Sequence, residues 1–329
     1  MAYLFHNFWA LTVTGLSLGA IYALVALGYT LVYGVLQLIN FAHSEVFMYG
    51  TFAVAWIWLF VGAHAGGSIP AVIGWLLLAL VAAMLTSAAI ALLLERVAYR
   101  PLRRRHAPKL VALISAIGAS FALSETMGLR DNITAWFGLD DNLGRYVFNA
   151  RENVGTPDVV TSKPLFRLFD YHVTNIDLLV IGSALVMMFV VDRFIQRSRL
   201  GRGIRSVAQD PEAAALMGVN SDRVIQTTFL LGGLMAGAAA LLYMVKIGVT
   251  RYDVGFILGV KAFTAAVLGG IGNLRGALIG GLVLGVAENW GSALVGTQWK
   301  DVVSFILLVI ILLFRPTGLL GESLGRARA

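Results

Sequence analysis

The segment Asp210-Pro211-Glu212-Ala213-Ala214-Ala215-Leu216-Met217-Gly218 holds the densest set of local signals in the chain. Asp210 suits a helix N-cap, where a carboxylate accepts from free backbone N–H groups of the first turn. Pro211 fits the first helical position, because its missing N–H has no partner to lose there. Glu212 sets negative charge against the positive end of the helix dipole. Ala213 to Met217 are strong helix formers, and Gly218 can take the left-handed conformation that ends a helix. The chemistry on offer is mechanical. Small side chains near the helix start let another surface approach closely, and Leu216 and Met217 face a partner. A membrane-surface helix with no partner is the alternative.

A second group of residues is notable for its surroundings. Asn40, His43, Glu45, Glu125, Lys261 and Glu288 lie within or beside long apolar stretches. Ionisable groups in lipid are expensive, so each is a candidate for a transport path. Asn40, His43 and Ser44 can face one helical side or line a break. Snorkelling to a membrane interface is the plainer account of Glu125 and Lys261. For His43 and Glu45 it is a turn that caps the following span. Covalent and metal chemistry find little support. There is no cysteine, no His-Glu-x-x-His pair and no Gly-x-Ser-x-Gly elbow. His6, His43, His64, His106 and His172 are scattered. No Gly-x-x-x-x-Gly-Lys-Ser/Thr phosphate loop occurs, so ATP is not expected to be hydrolysed by this chain.

The elements that position these residues are set by composition. Of the 329 residues 58% are hydrophobic and 13% charged, with a mean hydropathy of +0.81. Soluble domains carry about 25% charged residues. Lipid is therefore the expected solvent, and a span needs about 20 mostly apolar residues. The first apolar stretch lacks the basic region and cleavage site of a signal peptide, so it reads as a retained span. Spans are expected at about Phe8–Leu38, Val46–Val61, Ala71–Leu94, Leu110–Leu129, Ile176–Ile195, Val224–Val245 and Val302–Phe314. The region Gly255–Leu294 is interrupted at Gly272-Asn273-Leu274-Arg275 and reads as two spans or two half-helices. The expectation is an all-α polytopic bundle with eight or nine spans. Residues 1–329 read as one membrane domain, with polar segments at about 130–175 and 196–223.

Gly272, Gly276 and Gly280 are spaced four apart, on one helical face. In lipid such stripes permit close backbone packing, here expected within the chain. The net charge of +7 sits in loops between spans, which argues against nucleic acid. Basic residues in short loops mark the cytoplasmic side. Arg96, Arg100, Arg103, Arg104, Arg105 and Lys109 face one acid, Glu95. Arg197, Arg199, Arg202, Arg205 and Arg223 mark the 196–223 segment, and Arg315, Arg326 and Arg328 the C-terminal end. These three regions are expected inside. The mixed segment 130–175 is expected outside, and counting back puts the N-terminus outside.

The Asp210–Gly218 segment resembles the "EAA" coupling loop of ABC importer permeases. Gly15-Leu16-Ser17-Leu18-Gly19-Ala20-Ile21-Tyr22-Ala23-Leu24 and Asn40-Phe41-Ala42-His43 resemble the start of branched-chain amino acid permeases. Ala262-Phe263-Thr264-Ala265-Ala266-Val267-Leu268-Gly269-Gly270-Ile271-Gly272 and Arg315-Pro316-Thr317-Gly318-Leu319-Leu320-Gly321 extend the resemblance over nearly the whole chain, in the family's order. The chain is most similar to the first of the two paired permeases. It departs from the family at Ser44, where glycine is usual, and in a longer 130–175 segment.

The resemblance implies a multi-pass permease of the bacterial cell membrane, without enzymatic activity of its own. It implies a second permease subunit, two cytoplasmic ATPases and an extracytoplasmic solute-binding protein. ATP and magnesium belong to the ATPases, and no cofactor belongs to this chain. It implies leucine, isoleucine and valine as cargo, moved by alternating access. A zwitterionic cargo needs partners for both charges, which paired polar groups or free helix ends near the path can supply. Importers of urea and short amides use related permeases. An ion-coupled transporter would need Glu125 or Glu288 as its coupling site and would leave the capped helix without a purpose.

Overall fold

The computed structural model describes residues 2–138, 150–169 and 171–321. Residues 139–149 of the expected external segment, and Arg326 and Arg328, lie outside them. Among the described residues the helices of six or more residues are α1 (Phe8–Leu36), α2 (His43–Phe60), α3 (Ile69–Leu94), α4 (Lys109–Gly128), α5 (Arg130–Trp136), α6 (Asn175–Arg197), α7 (Arg199–Gln209), α8 (Pro211–Leu216), α9 (Ser221–Ile247), α10 (Val254–Gly269), α11 (Leu274–Val295) and α12 (Lys300–Phe314). Among the described residues, seven helical segments are long and apolar enough to cross a membrane, and α10 is a shorter apolar helix. The chain is a polytopic, helical, multi-pass membrane protein.

The chain divides into two compact units. The first comprises Met1–Gln37, Ser162–Thr228 and Val260–Ala329. Its centre is the contact of α1 with α11. A Cβ on Gly15 would stand 2.7 Å from Val286 Cα, and one on Gly285 2.2 Å from the Gly15 carbonyl oxygen. On another side of α11, a Cβ on Gly280 would meet the Ala265 carbonyl oxygen of α10 at 2.1 Å. Helix association in lipid rests largely on close packing, which such glycines allow. The stripe is therefore two-sided, serving α10 through Gly276 and Gly280 and α1 through Gly281 and Gly285. Gly272 does not belong to it. That residue lies before α11 in the turn, at φ +98° with open space around it. The turn makes two helices of the 255–294 region, and Asn273 caps the second by accepting from the N–H groups of Arg275 and Gly276.

Contacts define the two ends of this unit. At one end Phe8 and Trp290 rings pack at 5.1 Å, and Trp9 stacks on Phe169 at 4.6 Å. Phe169 belongs to the hairpin of β2 (Pro164–Leu168) and β3 (Tyr171–Thr174). The start of α1 thus lies with the segment expected outside. At the other end the C-terminal turns of α1 and α6, helix α7 and the α10–α11 turn line one cleft.

The second unit comprises Leu38–Thr161 and Phe229–Gly259. Its core joins α2, α3 and the later part of α9 through Val54, Trp58, Ala79, Ala83, Leu241 and Met244. Gly233 and Gly237 let α9 approach the backbone of α3 at Ala88 and Ala83. The α3 helix does not end at Glu95, where the sequence reads as a loop. It continues through a π turn, Glu95–Tyr99, into a helical turn at Arg100–Arg104. Pro101 has no N–H to give the preceding turn, and its ring presses on that turn's carbonyls. The π turn relieves this by reaching one residue further, with the Arg100 N–H donating to the Glu95 carbonyl. Short β1 (Val154–Gly155) pairs antiparallel with β4 (Val249–Thr250). Neither this pair nor the β2–β3 hairpin is expected from the sequence.

Candidate functional site

The coupling candidate is built in the first unit by α7 and α8. The Ser198 side chain caps α7 by accepting from the Gly201 N–H at 2.8 Å. Gly201 is there because a Cβ would fall 2.2 Å from the Ile195 carbonyl oxygen. Ile204 and Val207 bury one face of α7 while Arg202 and Arg205 stay exposed. One Asp210 carboxylate oxygen accepts from Glu212 and Ala213 N–H, both at 2.9 Å, and so caps α8. Ala214 is the buried anchor of α8. Gly218 takes φ +82°, which lets Gly218 and Val219 donate to the Ala215 and Ala214 carbonyls. The helix closes one residue before Met217. Leu216 and Met217 are then 89% and 84% exposed, a pair of large apolar side chains beside basic helix α7.

The cleft near this element has a volume of about 840 Å³. Asp192 lies in its wall and accepts from Arg275 at 3.1 Å and from Gln196 at 2.8 Å.

The polar groups buried in the apolar helices form separate constellations. In the first unit, the Lys261 ammonium on α10 donates to Glu288 Oε1 on α11 at 2.7 Å and pairs with Asp301 at 2.6 Å. Tyr22 of α1 donates its hydroxyl to the same Glu288 oxygen at 3.5 Å, and Lys300 stands 3.7 Å from it. Lys261 is buried rather than snorkelling, because α11 and the start of α12 supply its counterions.

In the second unit, Asn40 Oδ1 accepts from the Tyr99 hydroxyl at 2.9 Å, tying the start of α2 to the π turn. His43 is buried in the first turn of α2. Glu45 is buried there too, but it does not cap the turn. Its Oε1 accepts from Ser120 at 3.1 Å and Ser44 at 3.4 Å. Its Oε2 lies against Gly255, where a Cβ would come within 2.7 Å. Glu95, buried in the π turn, pairs with Arg100 and Arg103 at 3.4 and 3.5 Å. Glu125 stands apart, half-exposed at the end of α4 and paired with Arg151 at 2.7 Å. In the loop before α10, the Arg251 guanidinium holds the Asp253 carboxyl below its ordinary range.

The structure thus unites Lys261 with Glu288, and leaves Glu125 away from any buried cluster. Tyr22, Lys300 and Asp301 are the members that sequence reading misses. Lys300 and Asp301 carry a signal, being adjacent charges at the start of an apolar run. Tyr22 carries none. Among the described residues, no group of three or more His, Asp or Glu side chains is placed to hold a metal ion.

Comparison with known proteins matches residues 11–312 to the family described as branched-chain amino acid transport system / permease component. The high-affinity branched-chain amino acid transport system permease protein BraD of Pseudomonas aeruginosa is 41% identical over 311 residues, covering 94% of each chain. The corresponding permease protein LivH of Escherichia coli K12 is 42% identical over 310 residues, again covering 94% of each. With nearly its whole length matched at this identity, the chain belongs to the permease component family of branched-chain amino acid transport systems.

Proposed function

We propose that this chain is a membrane permease subunit of an ATP-binding-cassette importer that moves leucine, isoleucine and valine inward across a bacterial cell membrane. It pairs with a second permease, two cytoplasmic ATPases and an extracytoplasmic solute-binding protein. ATP and magnesium are held by the ATPases, and this chain contributes no catalytic group.

The observation that carries the reading is α8. A six-residue helix, capped at both ends, presents Leu216 and Met217 to water at large exposure. Exposed apolar pairs of this kind favour burial against a protein partner, at about 1.5–3 kcal/mol for each large side chain fully covered. BraD and LivH, both named as permeases of branched-chain amino acid transport systems, support the cargo. In the mechanism, movement of the docked ATPases is carried by α8 and α7 into the helices they adjoin. The path opens first to the side of the solute-binding protein and then to the cytoplasm.

The direct test is capture of the ATPase. Tagged wild-type chain in detergent retains both ATPases through purification. Leu216→Asp with Met217→Asp inserts to the same level in the membrane and loses them. Retention of the ATPases by the double variant would overturn the docking role of α8.

A further inference from the structure

The ion-pair network of α10, α11 and α12 has a form that helix packing alone does not require. Charged groups taken out of water must be paired and hydrogen-bonded, or the desolvation penalty dominates. Glu288 is fully buried, yet Tyr22, Lys261 and Lys300 all converge on its Oε1. Its Oε2 is also buried and accepts no hydrogen bond among the described residues. A carboxylate with one crowded oxygen and one vacant one is half a site.

The network also has a direction. Side-chain exposure falls from 50% at Asp301 to 28% at Lys300, 11% at Lys261 and 0% at Glu288. Asp301 and Lys300 begin α12, just past the C-terminal end of α11, where Trp290 meets Phe8. That is the end where the β2–β3 hairpin lies. Glu288 lies seven residues before the end of α11, about 10 Å deeper at the helical rise per residue. The charges therefore lead from the hairpin end into the unit.

We propose that Lys261, Glu288 and Lys300 form the site that receives the two charged ends of an α-amino acid in transit. The vacant Oε2 of Glu288 takes the α-ammonium. The ammonium groups of Lys261 and Lys300 take the α-carboxylate. Tyr22 positions Glu288 through its hydroxyl. Asp301, already 2.6 Å from Lys261, keeps that lysine paired while its contact with Glu288 is replaced. The four charged groups sum to zero, and so does the incoming zwitterion. One neutral set of pairs is exchanged for another, and no buried charge is left bare. The inference rests on the amino acid importer reading and adds the residues that recognise the cargo's ends.

The chain has no cysteine, so an introduced thiol is its only one, and its modification is read on this subunit after separation from its partners. Lys300→Cys in the full assembly should lose at least tenfold in leucine uptake. Treatment with 2-aminoethyl methanethiosulfonate, which rebuilds an ammonium on that sulfur, should recover at least half. Methyl methanethiosulfonate, which adds no charge, should recover none. In the detergent-solubilised assembly, millimolar leucine should slow modification of the thiol introduced by Lys300→Cys at least threefold. Leucinamide, lacking the carboxylate, and 4-methylvalerate, lacking the ammonium, should not. Asp301→Cys serves as a second reporter with the same expected protection if Lys300→Cys does not assemble. Equal modification rates with and without leucine, or equal protection by all three compounds, would overturn the site. Wild-type assembly that takes up an amide and no leucine would overturn the importer's cargo instead, which separates the two failures.

Discussion

Glu212, Asp210 and Gly218 act on one short helix by three different physical routes, and each route gives its own expected loss. Asp210→Ala removes a cap that accepts two N–H groups at 2.9 Å, a change of about 1 kcal/mol in helix stability. Glu212→Lys inverts charge at the positive end of the helix dipole, about 0.3–1 kcal/mol. Gly218→Val forces a β-branched residue to φ +82°, a region such residues avoid. All three variants should reach the membrane at wild-type level. Gly218→Val should show the largest drop in ATP hydrolysis stimulated by the loaded binding protein, and wild-type stimulation in that variant would contradict the coupling role. These residues are legible in the sequence because their signals are local, each within four positions of its partner. Lys261 and Glu288 are legible only as isolated charges. Their meeting needs the turn at Gly270–Asn273 to fold α10 back on α11. Tyr22 joins them from 266 residues away, and nothing in its neighbours on α1 marks it.

At the scale of elements, the long apolar helices follow from hydropathy, and their ends fall within a few residues of expectation. The exceptions have particular causes. The basic run after Leu94 is helical because Arg and Leu favour helix and the π turn absorbs Pro101. Helix α7 is hard to see because its buried face is only Gly201, Ile204 and Val207 between arginines. The β2–β3 hairpin has alternation too short to distinguish from loop. The glycine contacts give the clearest element-level test. Gly285→Val places a Cβ 2.2 Å from the Gly15 carbonyl oxygen, so α1 and α11 must separate. The expected loss is ~3 kcal/mol or more, at the upper end for overpacking. Gly182→Val on α6 meets nothing within 4 Å and should stay within ~0.5 kcal/mol, as unencumbered surface substitutions do. Thermal unfolding of the detergent-solubilised chain measures both. Equal melting temperatures would contradict the assigned α1–α11 packing.

For the whole molecule, the family is legible because its blocks run in order along nearly the full chain. The division into two compact units is not, since each unit draws on segments far apart in sequence. Orientation is the first global expectation. Exposed Asp158 lies in the 130–175 segment and exposed Arg105 in the basic run after α3. Asp158→Cys should react with an impermeant thiol reagent added to intact cells, and Arg105→Cys should react only after lysis. The reverse pattern would put α8 on the wrong side for an ATPase. The central claim is inward, ATP-driven movement of branched-chain amino acids. Labelled leucine uptake should be measured in vesicles holding this chain, its paired permease and both ATPases, with the cognate binding protein added outside. Uptake that requires ATP inside, and that unlabelled isoleucine and valine compete away, is the expected result. Uptake driven by an ion gradient without ATP, or uptake of urea or an amide with none of the three amino acids, would contradict it.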